Sequence, residues 1–401
     1  MTSRPKKILF VAECVTLAHM ARPFVLANTL KRANYEVIFA ADGRFDDLFP
    51  AIPGKRESVF SIGSKHFLEA LAQGKPVYDQ ATLERYVADD LALFERVKPD
   101  VVVGDFRLSL SVSARVAGIP YITISNIYWS PHVIQRFPVP ELPLVRLVGV
   151  PVAQAVFNVL RPIAFALHAI PLNAVRKKFG LESLGRDLRR IYTDADITLY
   201  ADLPGLFETN ALPLTHRFVG PLQWSPQVPL PAWWGAFDKS LSVIYLTPGS
   251  SGSAEKLPLL AAALASLPAT VLVATARQWN PTVSAPGVFV ADFLPGDQIV
   301  KIADVVVCNG GSPTTGQALA AGVPVVGVPN NLDQYLNMTA LEKAGLGITL
   351  RSGKITPEGL VNAVREVLQN SGYRDRTREV QRRFGKIDAG ESFTKALAEL
   401  T

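Results

Sequence analysis

The sequence predicts an α/β protein of two units, each built on a parallel sheet, and three observations carry that prediction. The first is a strand, helix and strand in succession at the start, Lys7 to Ala12, Met20 to Arg32 and Val37 to Ala40, which make a βαβ unit. The second is the β-branched run Asp304 to Cys308, cut sharply by Asn309-Gly310-Gly311-Ser312-Pro313 and followed by a helical stretch. The third is a cluster of prolines, Pro221, Pro226, Pro229 and Pro231, that reads as a stiff, exposed connection between two parts. A chain of 401 residues is too long for one core and suits two domains of ordinary size.

Composition narrows the class. Hydrophobic residues at 48%, charged residues at 19% and a mean hydropathy of +0.20 are enough to bury two large cores. Part of the net charge of +6 is concentrated in Arg176-Lys177-Lys178 and in Arg186, Arg189 and Arg190. With no aromatic-basic repeat and no zinc pattern, this charge does not suggest nucleic acid but attraction to an anionic diphosphate or a membrane surface. The only cysteines, Cys14 and Cys308, sit beside predicted strand ends, so a reducing compartment and no disulfide framework are expected. The first apolar run, Ile8 to Ala12, is too short for a signal-peptide core, which makes the expected location cytoplasmic. No His, Cys and Asp cluster has ligand spacing, so no metal is expected.

Taken in order, the first turn lacks Gly-x-Gly-x-x-Gly, so a dinucleotide is not expected there, and His19 stands at or just before the helix start instead. Ile52 to Phe60 reads as a strand region, Phe67 to Ala72 and Asp79 to Val97 as helices, and Pro99 to Asp105 as a buried strand ending in an acid. A helix Ser109 to Ala117 and a strand Tyr121 to Ser125 follow, then a long apolar, proline-broken region from Phe137 to Leu172. Within it Arg146, Gln154, Asn158, Arg161, Pro162 and His168 interrupt Leu142 to Val175, which is therefore expected not to span a membrane though it could lie against one. Asp196 to Tyr200 reads as the last strand of the first unit.

The second unit opens with strand Ser242 to Leu246, a Gly/Ser loop containing Gly249, Ser250 and Ser251, and a helix from Ala254. Strands Thr270 to Ala274 and Val288 to Val290 come next, followed by Asp292-Phe293-Leu294-Pro295-Gly296. In the Asp304 to Asn337 stretch, Gly310 and Gly311 allow positive φ and close backbone approach. Ser312 suits an N-cap, Pro313 the first helical position, and Thr314 and Thr315 add hydroxyls. Free amides at a positive helix end make an anion site, best suited to a phosphate or pyrophosphate. Past Gly322 and the strand Pro324 to Pro329, Asp333, Gln334 and Asn337 fall at a strand's carboxyl end, where open parallel sheets bind ligands. Ile348 to Leu350, helix Pro357 to Gln369 and an amphipathic, charged tail Arg374 to Leu400 complete the chain.

That order of residues resembles the nucleotide-sugar-binding signature of the UDP-glycosyltransferase family, the inverting GT-B enzymes that glycosylate small lipophilic acceptors. The family pattern His-Gly-Gly-Ser-Gly-Thr-Thr, acid, Ala-Leu, Gly-Val-Pro, Asp-Gln and Asn stands here as Asn309 to Thr315, Gln317-Ala318-Leu319, Gly322-Val323-Pro324, Asp333-Gln334 and Asn337. Asn309 replaces the family's pyrophosphate-contacting His, Gln317 its ribose-contacting Glu, and Gly296 its base-reading Gln.

The resemblance implies a GT-B fold, two Rossmann-like domains with parallel sheets facing across a cleft. It divides the chain into an acceptor domain 1–220, a linker 221–240, a nucleotide-sugar domain 241–378 and a last helix 379–401 packing back on the first domain. It puts donor contacts at Gly249, Ser250, Ser251, Phe293, Leu294, Asn309, Gly310, Gly311, Ser312, Thr314, Thr315, Gln317, Asp333 and Gln334. It makes His19 the general base, with Asp105 orienting its ring, and makes Phe137, Leu147, Val156, Phe157, Phe165 and Leu167 walls for a greasy acceptor. No cofactor is implied beyond a UDP- or dTDP-sugar co-substrate. The residues alone leave alternatives: a capping or core His19, an Asp105 that caps the next helix in competition with Ser109, and plain core packing of the apolar stretch. A GT-B epimerase or hydrolase, and a non-catalytic binder, stay open at this point.

Overall fold

Strand pairs with strand in parallel throughout two separate sheets, and the buried strands are near-continuous runs of Val, Ile, Leu and Phe, as sheets covered on both faces require. In the computed structural model, which describes residues 4–30, 35–49, 51–238, 240–249, 251–252, 254–279 and 285–401, the chain forms two units. One consists of Met1–Gln135, Pro151–Leu222 and Asp388–Thr401, the other of Arg136–Val150 and Gln223–Ile387. Ser250 therefore lies outside the described residues.

The first unit runs β1 (Lys6–Ala12), α1 (Leu17–Thr29), β2 (Tyr35–Ala41), β3 (Lys55–Ser58), α2 (Ser64–Gln73), α3 (Gln80–Val97), β4 (Val101–Asp105), α4 (Leu110–Ala117) and β5 (Tyr121–Ser125). It continues through α5 (Pro143–Lys178) from Pro151 onward, α6 (Leu188–Ile191), β6 (Ile197–Tyr200) and β7 (His216–Phe218). Its sheet has the order β3-β2-β1-β4-β5-β6-β7, so Ile197–Tyr200 is not the last strand, as the sequence suggested: β7 adds itself to that edge. The proline-broken region breaks at a glycine and not at its prolines. Pro151, Pro162 and Pro171 all lie inside α5, which departs from helical geometry at Gly149 (φ 77°, ψ 167°). The helix runs on across Pro162 and Pro171, each of which removes one backbone donor.

The second unit runs β8 (Ser242–Thr247), α7 (Leu257–Leu264), β9 (Ala269–Ala274), β10 (Val288–Ala291), α8 (Gly296–Ile302), β11 (Val305–Cys308), α9 (Ser312–Ala320), β12 (Val325–Gly327), α10 (Leu332–Lys343), β13 (Gly347–Thr349), α11 (Pro357–Gln369) and α12 (Ser371–Phe384). Its sheet order is β10-β9-β8-β11-β12-β13. Residues 136–150 are tied into this unit by Glu141, whose carboxylate accepts from Tyr335 Oη at 2.6 Å and pairs with Arg351 at 2.8 Å. The charged tail is two helices: α12 stays here, and α13 (Ala389–Ala398) belongs to the first unit, where Phe393 is fully buried with its ring 5.8 Å from that of Phe10.

Both sheets reverse their order beside their first strand, between β1 and β4 in one and between β8 and β11 in the other. The register sets Ala12 opposite Asp105 and Thr247 opposite Cys308, so the loops leaving these four strands open at the same end of their sheet. Such switch points are where open parallel sheets bind ligands.

Candidate active site

At the first switch point the loop after β1 leads straight into α1. Its N-cap is Thr16, so His19 lies within the first turn of the helix and not before it. His19 Nδ1 is 2.7 Å from Asp105 Oδ1 at the end of β4. Asp105 is fully buried and also accepts two bonds from Arg22, Nε to Oδ2 at 2.6 Å and Nη2 to Oδ1 at 2.7 Å. A fork-on-fork pair of this kind holds both carboxylate oxygens as acceptors. His19 must then donate through Nδ1, which leaves Nε2 with a lone pair. His19 is half-buried and lies inside the first turn and not at the cap of α1, and the N-cap of α4 is Ser109 and not Asp105.

Arg22, three residues beyond His19 on the same face of α1, was not marked by the sequence pattern. Its guanidinium also donates from Nη1 to Asn126 Oδ1 at 2.6 Å, and Asn126 donates in turn to Asp202 at 2.9 Å. Burial opposes the charge of Arg22, but Asp105 overcomes this and raises its pKa. The imidazole is held from its face by Phe106, whose ring lies 4.7 Å away and nearly parallel, at 18°. Phe106 reaches that position in the left-handed region, φ 59°, a strain of about 1–3 kcal/mol for a bulky residue. The next residue, Arg107, is fully buried and anchors the turn by donating to Asp90 at 2.8 Å and to the Phe60 carbonyl at 2.8 Å, with Glu13 at 3.4 Å. Burial pushes the Glu13 carboxyl up to about 7 against the opposing pull of Arg107.

At the second switch point the loops after β8 and β11 meet. Asn309 donates from Nδ2 to Ser251 Oγ at 3.2 Å and accepts from the Gly311 amide at 3.0 Å. Gly249 is left-handed, φ 62°, and a Cβ on it would stand 3.2 Å from the Asn309 amide. Gly310, φ 78°, is forced to be glycine twice over, since a Cβ would lie 2.4 Å from Met338. The cap of α9 is Gly311 and not Ser312, a residue with no side chain to bond back into the first turn. On the other loop the expected helix from Ala254 is a 3-10 turn, Ala254–Lys256, and α7 starts only at Leu257.

Several expected donor contacts serve the scaffold. Gln334 forms a capping box with Asn331 at the start of α10, is nearly fully buried, and reaches Ser251 Oγ at 3.4 Å. Thr315 is buried too: Asn337 donates to its Oγ1 and to the Gly310 carbonyl, both at 2.8 Å, which locks the glycine turn from behind. Gln317 donates to the Trp224 carbonyl and to Ser225 Oγ. Its carboxamide fills the space beside Gly296, where a Cβ would stand 2.5 Å from Oε1. Two of the three departures from the family pattern, Gln317 and Gly296, are therefore neighbours. Phe293 lies 5.0 Å under the Arg277 guanidinium, Leu294 is buried, and Ser312, Thr314 and Asp333 are part-exposed. Among the described residues no group of three or more His, Cys, Asp or Glu side chains is placed to hold a metal ion.

Comparison with known proteins identifies the family. Residues 258–385 match the family model of the erythromycin biosynthesis protein CIII-like C-terminal domain. The chain is 49% identical over 388 residues to a PGL/p-HBAD biosynthesis glycosyltransferase of Mycobacterium tuberculosis (strain ATCC 25177 / H37Ra), covering 97% of this chain and 91% of that protein. It is 46% identical over 390 residues to a PGL/p-HBAD biosynthesis rhamnosyltransferase of Mycobacterium bovis (strain BCG / Pasteur 1173P2), covering 97% and 87%. The fold is that of the spinosyn rhamnosyltransferase SpnG solved with thymidine diphosphate, with a TM-score of 0.70 at 17% identity over 98% of this chain and 100% of that one. Nearly half of all positions shared along almost the full length of two glycosyltransferases, on two parallel-sheet units of GT-B type, make this chain a glycosyltransferase of the UDP-glycosyltransferase family.

Proposed function

We propose that the enzyme transfers a sugar from a nucleoside-diphosphate sugar to a hydroxyl of a small lipophilic acceptor, with inversion, and that His19 is the base. The observation that carries this reading is the His19 and Asp105 pair at 2.7 Å, with the carboxylate fixed by Arg22. In the step, His19 Nε2 takes the acceptor proton as the acceptor oxygen bonds to the anomeric carbon. The bond from that carbon to the diphosphate oxygen breaks, and the nucleoside diphosphate leaves with the electron pair. Asp105 stabilises the imidazolium that forms. Amides at the start of α9, with Ser312, Thr314 and the Asn309 carboxamide, meet the charge on the leaving diphosphate.

A relative named as a rhamnosyltransferase and a structural neighbour holding thymidine diphosphate support a dTDP-deoxysugar as the first donor to test, with UDP-sugars beside it. Cys14 and Cys308 are buried free thiols, pushed up to about 12 chiefly by burial, which fits a reducing, cytoplasmic setting. The test is incubation with a panel of dTDP- and UDP-sugars and lipophilic phenols, alcohols and acids, read by mass spectrometry. Formation of a glycoside with inverted anomeric configuration is expected; free sugar or an epimerised donor as the sole product would overturn the reading.

A further inference from the structure

The outward face of α5 is apolar from end to end of its first-unit portion. Val152, Val159, Leu160, Ile163, Leu167 and Ile170 are 50–72% exposed, and their spacing places them on one helical face. The opposite face is the packed one, with Ala153, Phe165, Ala169, Leu172 and Val175 buried. An exposed strip this long exceeds what a protein surface ordinarily leaves to water. Charge indicates what covers it. Between residues 151 and 190 stand seven basic residues and two acidic ones, so this segment alone holds five of the six excess positive charges of the chain.

The basic groups are folded back beside the helix. Asn173 donates to the Gly185 carbonyl and accepts from the Leu184 amide, both at 2.8 Å, which brings Arg186 to the last turns of α5. Arg189 lies near enough to Arg161 for their charges to repel. Lys177, Arg186 and Arg190 are exposed. Two copies of such a face would repel each other, whereas an anionic surface with an apolar layer beneath it satisfies both features.

We propose that the 151–178 part of α5 is an interfacial helix that docks the enzyme on an anionic lipid bilayer. It is long and apolar enough to cross one, but it lies on the surface. Crossing would strip its inner face from the sheet unit, including Arg176, which donates to the Ser111 carbonyl and to Asp194, both at 2.9 Å. Pro162 and Pro171 inside it also leave carbonyls without helical partners, tolerable where water reaches the headgroups and costly in hydrocarbon. The bilayer then brings the enzyme to where a lipophilic acceptor is concentrated. Docking itself depends on neither the sugar nor the acceptor, so it can fail while the transferase reading stands.

Flotation with vesicles of phosphatidylglycerol and phosphatidylcholine, and with phosphatidylcholine alone, tests this on the full chain. Binding to the anionic vesicles at low salt is expected, falling as salt is raised and weaker by about tenfold or more on the neutral ones. Val159→Gln with Ile163→Gln, which touches no core residue, should weaken it by about tenfold or more while leaving the melting temperature and transfer to a water-soluble acceptor unchanged. Arg186→Gln with Arg190→Gln should remove most of the salt dependence. Absence of parent binding at low salt overturns the proposal, as does binding insensitive to the apolar pair. So does a concentration-dependent dimer in light scattering that the apolar pair abolishes, since a second copy would then be the occupant.

Discussion

The two switch points share a topology and differ in how their polar groups are held. In the first unit, a buried carboxylate, a buried guanidinium and an imidazole lie within 3.1 Å of one another, and a strained phenylalanine is stacked on the ring. In the second, the corresponding positions carry carboxamides and glycines: Asn309, Gln317 and Gln334 with Gly249, Gly296 and Gly310. The proton transfer proposed for the first site needs one tautomer in one orientation, which charge-assisted bonds favour. Holding a diphosphate that arrives with its own charges needs open amides and close backbone approach, which neutral side chains and glycines supply.

The contrast predicts that the first site is brittle. His19→Ala should lower turnover by about 10²- to 10⁴-fold, the usual worth of a general base, with nucleotide affinity by calorimetry nearly unchanged. Turnover equal to the parent from pH 6 to 9 would remove His19 from the reaction.

Arg22→Met should come next. It leaves the Asp105 carboxylate buried with the His19 ring as its remaining side-chain partner among the described residues, so the melting temperature should fall, consistent with the roughly 3–5 kcal/mol cost of breaking a buried pair. At a temperature where the variant is folded, kcat should fall by about 10- to 100-fold, with the donor KM held, as expected for an interaction felt mainly in the transition state. Arg22→Lys should recover only part, because an ammonium cannot make the two-pronged contact. A variant that melts early but turns over like the parent would make Arg22 a scaffold residue only.

The donor site should bend sooner than break. Asn309→Ala removes one neutral donor and the bond that shapes the Gly311 turn, and should weaken UDP and dTDP binding by about tenfold, in line with one or two hydrogen bonds at roughly 1 kcal/mol each. Gln317→Glu keeps the shape but sets a charge beside the Trp224 carbonyl. It should change donor KM by only a few-fold, and if Gly296→Ala abolishes that difference the two positions act together.

A further effect concerns stability and not binding or turnover. Glu13 titrates near 7 in the folded state, above its ordinary 4.5, so its protonated form is the favoured one inside the protein. Its contribution is fully present below about 4.5 and is lost as pH rises through about 7, worth up to roughly 3 kcal/mol at 1.36 kcal/mol per pH unit. Glu13→Gln should therefore gain in melting temperature relative to the parent between pH 5 and pH 8.5. A constant difference across that range would mean that Glu13 stays ionised against Arg107.

Much of this was written plainly in the chain. Strands show because β-branched runs end in glycine or acid, and the Asn309 to Thr315 turn shows because its glycines, proline and hydroxyls sit at fixed offsets. His19 and Asp105 could be paired on paper only through a family likeness, as 86 positions separate them. Arg22 was illegible for a related reason: an arginine before a proline on an apolar helix gains meaning only when β4 and β5 deliver Asp105 and Asn126 to it. The adjacency of Gly296 and Gln317 was hidden likewise, and each was read as a separate loss. Prolines misled in the other direction, because local breaker signals in α5 were outvoted by packing along its inner face.

The return of α13 to the first unit has a consequence for biosynthesis. Phe393 closes the core over Phe10, yet it is translated after the whole second unit. At about 5–20 residues per second, roughly ten to thirty seconds separate emergence of the first sheet from arrival of its last helix. Over that interval the nascent first unit offers the ribosome's surroundings an apolar face on β1 and α1 that no earlier part of the chain covers. Chaperone engagement of this enzyme should thus be governed by how fast its second unit is made.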